Sequence, residues 1–256
     1  MPASGMRGEF RPLQDTLWLA GIDACAAGWV AAFVRPQGDA VTCRVVDDFA
    51  AILDAPESPH IVAVDIPVGL PQRSGPGGRA AENAVRPLLG ARQSSVFSVP
   101  SRAAIACDEY RAACAAALES SDPPRKVSKQ LFNIAPKIRA VDALLRARPD
   151  AARRVHEVHP ELAFWRLNGD AALGEPKKVR GRSHAPGLAL RRDLLASAGL
   201  PRHIVFMPPP PGAGPDDLLD ALACAIIARR IHVGIARPFP DPPPQDDFGL
   251  PMAIWA

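Results

Sequence analysis

The chain carries 256 residues, 48% of them apolar and 22% charged, and its net charge is only +3 from 30 basic and 27 acidic side chains. This is the composition of a globular protein long enough to bury a sizeable core; no apolar run approaches the roughly 18 residues of a membrane-spanning helix, and the balance of charge excludes a uniformly cationic nucleic-acid coat. The N-terminal residues lack the basic-then-apolar pattern of a secretory leader, so a cytoplasmic protein without a membrane partner is expected.

Residues 1–14 read as a flexible lead, and order is expected to begin with a strand at 17–23 (LWLAGID). Two more strands are expected at 28–35 and 41–47, joined across the Pro36-Gln37-Gly38-Asp39 turn, so the first three form an antiparallel meander. A short helix over 49–55 stops before Pro56. Residues 61–66 (IVAVDI) form an apolar run broken only by Asp65, the pattern of a central strand buried on both faces. A helical crossover from the third strand places it parallel to the first. A helical insertion follows over 67–150, opened by a Gly- and Pro-rich loop, with helices expected at 101–118 and 128–145. In the second of these, Leu131, Ile134, Ile138, Val141 and Leu145 make one apolar face. A fifth strand at 155–159 precedes helices at 160–167 and 188–198 and a last helix that opens at Pro215, a position suited to proline, and runs to 231. The domain is thus drawn over 15–236, with an irregular Pro- and Asp-rich tail over 237–256. The fold class is α/β: a mixed five-stranded sheet, meander first and parallel strands after, flanked by helices.

Chemistry is expected where carboxylates gather at strand ends. Asp23 closes the first strand, Asp65 interrupts a buried one, and Glu157 stands at the end of the fifth. Asp217 and Asp220, three apart on the last helix, share a face. An ionised side chain inside an apolar strand is costly unless paired, and a divalent cation is one good partner. Neighbouring strands lie about 4.8 Å apart, so such carboxylates can converge. An all-oxygen ligand set from Asp23, Asp65 and Asp220 suits Mg²⁺ or Mn²⁺. Each acid also has a plainer reading: Asp23 as a turn cap, Asp65 as a hydrogen-bonded buried acid, Asp217 as a favoured first-turn residue, and Glu157, in competition with Glu161, as a solvated one.

Candidate phosphate ligands are Arg92, Ser94, Ser95 and Arg102, around the apolar loop SSVFSVPS, and Lys177 and Lys178 in a basic stretch. Cys25, Cys43, Cys107, Cys114 and Cys224 include no C-x-x-C pair and read as reduced thiols. The segment His156-Glu157-Val158-His159 is one residue short of a zinc-protease signature and lies on a strand, which puts its histidines on opposite faces. No G-x-S-x-G elbow and no P-loop occurs.

The segments GIDACAAGWV (21–30), VDIPVGLP (64–71), ARQSSVFSVPSR (91–102), EVHPELAF (157–164), PKKVRG (176–181) and DDLLDALACA (216–225) occur in an order that resembles domain-of-unknown-function family 429, described as predicted nucleases with a ribonuclease H-like fold. The resemblance implies that fold and a nuclease activity. DDLLDALACA also resembles the last helix of Holliday-junction resolvases, whose acids three apart complete a metal site; Asp217 and Asp220 match them. Ala26 and Ala27 stand where the family often has Arg and Gly. The expected function is metal-dependent phosphodiester hydrolysis on nucleic acid: Asp23, Asp65 and Asp220 hold Mg²⁺ or Mn²⁺, and Asp217 or Glu157 completes the site. A non-catalytic phosphate- or nucleic-acid-binding module and a phosphotransferase of the sugar-kinase and actin-like branch are the alternatives.

Overall fold

A computed structural model describes residues 17–38 and 40–256, so the expected lead over 1–14 and Asp39, in the turn between the second and third strands, lie outside the described residues. Strands β1 (Leu19–Cys25), β2 (Gly28–Val34) and β3 (Val41–Val46) form the meander. Helix α1 (Phe49–Leu53), capped by the Asp48 carboxylate on the Ala50 amide, carries the chain back to β4 (Ile61–Val64). Then come α2 (Ala80–Val85), a 3₁₀ segment (Arg86–Ser95), α3 (Arg102–Ile105), α4 (Tyr110–Glu119), α5 (Lys129–Ala147) and α6 (Pro149–Ala152). The chain re-enters the sheet as β5 (Val155–Glu157). It continues through α7 (Pro160–Leu167), a two-stranded hairpin of β6 (Lys178–Val179) and β7 (Arg182–Ser183), α8 (Ala185–Ser197), α9 (Arg202–Val205) and α10 (Pro215–His232). The sheet order is β3-β2-β1-β4-β5, antiparallel across the first three strands and parallel from β1 to β4 to β5. No helix among the described residues is long and apolar enough to cross a membrane.

Alternation along the strands splits the core in two. Ala20 and Ile22 of β1, with Val62 and Val64 of β4, pack under α1, α4 and α5. Leu19 and Cys25, with Ile61 and Ala63, face the other way, onto α7, α8 and α10. Helix α10 is buried almost all round, as a helix hydrophobic on every side must be. It crosses β1 at Gly21. A Cβ there would lie 2.6 Å from the Cα of Ala225 and closer still to the Ala225 amide and the Ala221 carbonyl, so backbone rests on backbone.

Two expected features differ. The helix expected over 101–118 is broken between Ile105 and Tyr110, because Arg139 from α5 takes the carbonyls of Ile105 (2.9 Å) and Cys107 (3.1 Å) and pairs with Asp108 (2.6 Å). These contacts terminate α3 and restart the chain at α4. The tail over 237–256 is largely irregular but docked: β8 (Pro238–Phe239) pairs with β9 (Ile254–Trp255), and Leu250, Ala253, Ile254 and Ala256 are buried.

Gly21→Ala is expected to cost about 3 kcal/mol of stability, since backbone cannot step aside. Gly174→Ala, whose added Cβ meets nothing within 4 Å, is expected to cost less than about 0.5 kcal/mol. Urea unfolding followed by circular dichroism compares the two.

Candidate active site

Asp23 shares the parity of Leu19 and Gly21 and therefore faces α10. Asp65 follows β4 directly, and its amide donates to the Ile22 carbonyl (3.0 Å), which continues the parallel ladder and sets the two aspartates side by side. Asp220, one turn before Cys224 on α10 and 2% exposed, closes the group from above. The turn after Asp23 is pinned by Lys137 of α5, whose ammonium donates to the carbonyls of Cys25 (3.1 Å) and Gly28 and lies over the Trp29 ring.

Burial, then the charges of Asp220 and Asp65, push the Asp23 carboxyl well above the ordinary carboxylate range. Burial also raises Asp65, with His159 and Lys177 opposing, and lifts Asp220 to about 7 against the pull of Lys177. The Lys177 ammonium pairs with Asp220; burial works against that cation, but Asp220, Asp23 and Asp65 hold its pKa above the usual lysine value. Beside it, Lys178 pairs with Asp216 (2.6 Å). Asp217 spends one oxygen on the Gly214 amide (2.8 Å) at the start of α10, and burial raises its pKa.

The two glutamates part company by strand parity. Val64 is the register partner of Glu157, so Glu157 points to the α5 side of the sheet, away from Asp23 and Asp65. There it accepts from Arg79 (2.6 Å) and from the Val68 amide (2.8 Å), with Glu82 as the second partner of the same guanidinium (2.7 Å). Burial works against the Arg79 cation, yet the Glu157 and Glu82 carboxylates raise its pKa. Glu157 borders the cleft at the sheet's end, but its charge belongs to this ion pair. Glu161, on α7, lies on the aspartates' side and adds to the repulsion felt by Asp65 and Asp220. One of its oxygens takes the fully buried Arg191 (2.6 Å); the other is buried without a hydrogen-bond partner among the described residues. Arg191 also donates to the carbonyls of Glu175 and Gly187 (both 3.0 Å), which fixes the segment carrying Lys177.

Arg92, Ser94, Ser95, Lys177 and Lys178 line one cleft of about 360 Å³ together with Asp65 and Glu161. The Ser95 hydroxyl donates to the Arg92 carbonyl (2.8 Å), and the imidazole of His159 meets the Ser95 carbonyl at 3.3 Å. A second cleft of about 230 Å³ opens onto Asp23 and Asp65 from the α5 side.

No group of three or more His, Cys, Asp or Glu among the described residues stands as a ready metal cage. The donor chemistry nonetheless suits a hard cation. Asp23, Asp65 and Asp220 oppose the single ammonium of Lys177, a surplus of two negative charges when all are ionised, and one oxygen of Asp220 and one of Glu161 are buried without partners.

The family model described as protein of unknown function, DUF429, matches residues 21–245, from the glycine beneath α10 to the tail, with all three aspartates inside. The chain belongs to this family. No curated protein and no solved structure matches it.

Arg102, expected among the phosphate ligands, lines neither of the two clefts at Asp65. Arg102 faces the tail: it pairs with Asp142 and with Asp246 (2.5 Å), whose carboxylate is wholly buried and also accepts from the Leu70 amide (3.0 Å). Its guanidinium stacks on Phe248. Arg102→Ala leaves Asp142 with Arg146 (3.0 Å) as its remaining cation and Asp246 with backbone amides alone, and is expected to cost about 3 kcal/mol. Limited proteolysis should then cut within 241–256 well before the rest of the chain.

Asp220 supplies a pH test. Its folded pKa of about 7 lies above the ordinary 3.8, so the folded carboxyl holds its proton more tightly than the unfolded one. The resulting contribution to stability is complete below about pH 4 and is lost as pH rises through 7. In EDTA, the wild type is expected to lose stability relative to Asp220→Asn across that interval, read from paired thermal melts.

Proposed function

We propose that this protein is a metal-dependent phosphodiesterase acting on nucleic acid, on a ribonuclease H-like fold. The observation that carries the reading is the convergence of Asp23, Asp65 and Asp220 at the end of the two adjacent parallel strands, with negative charge in excess of its internal partner. The β3-β2-β1-β4-β5 order with helices on both faces supports the fold assignment.

Asp23, Asp65 and Asp220 would hold Mg²⁺ or Mn²⁺, with the unpartnered Glu161 oxygen as a further ligand in place of Glu157. Bound there, such an ion would polarise the phosphodiester and activate a water for attack on phosphorus. Lys177, Lys178 and Arg92 line the same cleft and would bind the phosphate oxygens. Ser94 adds a hydroxyl donor. Arg191 orients Glu161, and Lys137 keeps the turn beside Asp23 in place.

The pairing of Lys177 with Asp220 favours a second reading, a phosphate-binding module whose acidic cluster is partly balanced by its own lysine. The phosphotransferase alternative needs two related halves, and the described residues hold one sheet of this order.

Anomalous diffraction from Mn²⁺-soaked crystals is expected to give a peak within coordination distance of Asp23, Asp65 and Asp220. Asp65→Asn should lose that peak and at least about 100-fold of the Mn²⁺-dependent cleavage of a labelled oligonucleotide, more than the removal of an outer-shell partner costs. A well-occupied crystal with no peak, and a wild type that cleaves nothing, would return the protein to the binding-module reading.

A further inference from the structure

Beside the carboxylate clefts lies a larger one, about 560 Å³, lined by the Gly-rich loop 74–78, by residues from 93–98 and by the segment 125–128 that leads into α5. Its charged lining groups are Arg86, Arg125 and Lys126, and no carboxylate lines it among the described residues. The ion pairs of the described residues engage none of these three cations. Arg86 is held in place by neutral acceptors: its guanidinium donates to the Val96 carbonyl (3.1 Å) and the Ser98 hydroxyl (3.0 Å), and Ser98 in turn donates to the Gly77 carbonyl (2.8 Å). Burial lowers its pKa; the Glu82 carboxylate opposes that shift and the neighbouring Arg125 charge adds to it. The 19-residue helix α5 starts here, capped by Ser128, and directs the positive end of its dipole at the same space.

This cationic cleft adjoins the acidic site. Ser94 lines both it and the Asp65–Lys177 cleft, and Val96 and Phe97 line both it and the Asp23–Asp65 cleft. Phe97 is part-exposed where the three meet, a position from which an aromatic ring can stack on an unpaired base. A small anion could satisfy the cations alone, but one ligand that also reaches the aspartates must carry its negative charge along a chain.

We infer that this cleft is a phosphate subsite for single-stranded nucleic acid, holding the strand that flanks the bond presented to Asp23, Asp65 and Asp220. The inference rests on the phosphodiesterase reading for what happens at the aspartates, and its test separates the two. Binding of a fluorescein-labelled single-stranded oligonucleotide to the full chain is followed by anisotropy in EDTA over a range of salt concentrations. Arg125 and Lys126 are exposed, so the double variant Arg125→Ala/Lys126→Ala should fold. Each lost phosphate contact removes about 0.7 from the slope of log affinity against log salt on a single strand, so the variant is expected to lose about 1.4. An unchanged slope, or a wild type that does not bind the oligonucleotide, overturns the inference. Equal competition by a mononucleotide at matched phosphate concentration also overturns it, in favour of a pocket for one small phosphate ester. Equal competition by a duplex overturns the assignment to single strands. Slope loss in a protein that cleaves nothing with Mg²⁺ or Mn²⁺ upholds the subsite and removes the phosphodiesterase reading; cleavage with an unchanged slope does the reverse.

Discussion

At Gly21 the backbone of α10 lies against the backbone of β1 with no side chain between them, and the geometry of the acidic site follows from that approach. The small residues Ala221 and Ala225 complete the contact on the helix side. A bulkier spacer would lift the helix from the sheet and carry Asp220 away from Asp23 and Asp65. Helices usually keep some 8–10 Å from their neighbours because side chains intervene. Here the absence of one allows a carboxylate on a helix to join two on a sheet.

Carboxylates in this fold meet two fates, and the face of the sheet decides between them. On the α5 side, Glu157 and Glu82 share Arg79, whose guanidinium also donates to the carbonyls of Val68 (2.8 Å) and Gly69 (2.9 Å), so the charges are closed off by geometry. Such a buried network fixes the loop after β4 more than it adds net stability. On the α10 side, three aspartates and Glu161 meet one buried cation, Arg191, and one part-exposed cation, Lys177. Arg191 is committed to Glu161 and to backbone carbonyls, while Lys177 projects from a segment next to an exposed hairpin. Glu157 and Glu82 have every oxygen hydrogen-bonded, whereas Asp220 and Glu161 each keep one oxygen without a partner among the described residues.

Much of this was legible in the sequence. The meander, the crossover, the parallel β4 and the last helix follow from apolar runs and turn residues, and Asp65 stood out because an acid in IVAVDI needs a partner. That Asp23 and Asp220 lie beside Asp65 could be anticipated because strand ends and a shared helix face are local properties. The distinction between Glu157 and Glu161 was not local: it depends on the register of β5 with β4, which no single segment encodes. Arg102 looked like a phosphate ligand beside its serines, but its partners Asp142 and Asp246 come from a distant helix and from the tail. The break between α3 and α4 has the same origin, in an arginine from α5 that competes for the carbonyls of the expected helix.

The contact between Gly21 and Ala225 also joins segments at opposite ends of the matched region, the first made well before the second. Pairings so remote in sequence slow folding, because the closure of the intervening chain must be met before they contribute. On the ribosome, the meander and β4 can therefore collapse with Asp23 and Asp65 facing water, and their burial waits for α10. The acidic pocket closes when the last long helix docks, so a chain truncated before that helix would carry all five strands of the sheet and lack Asp220.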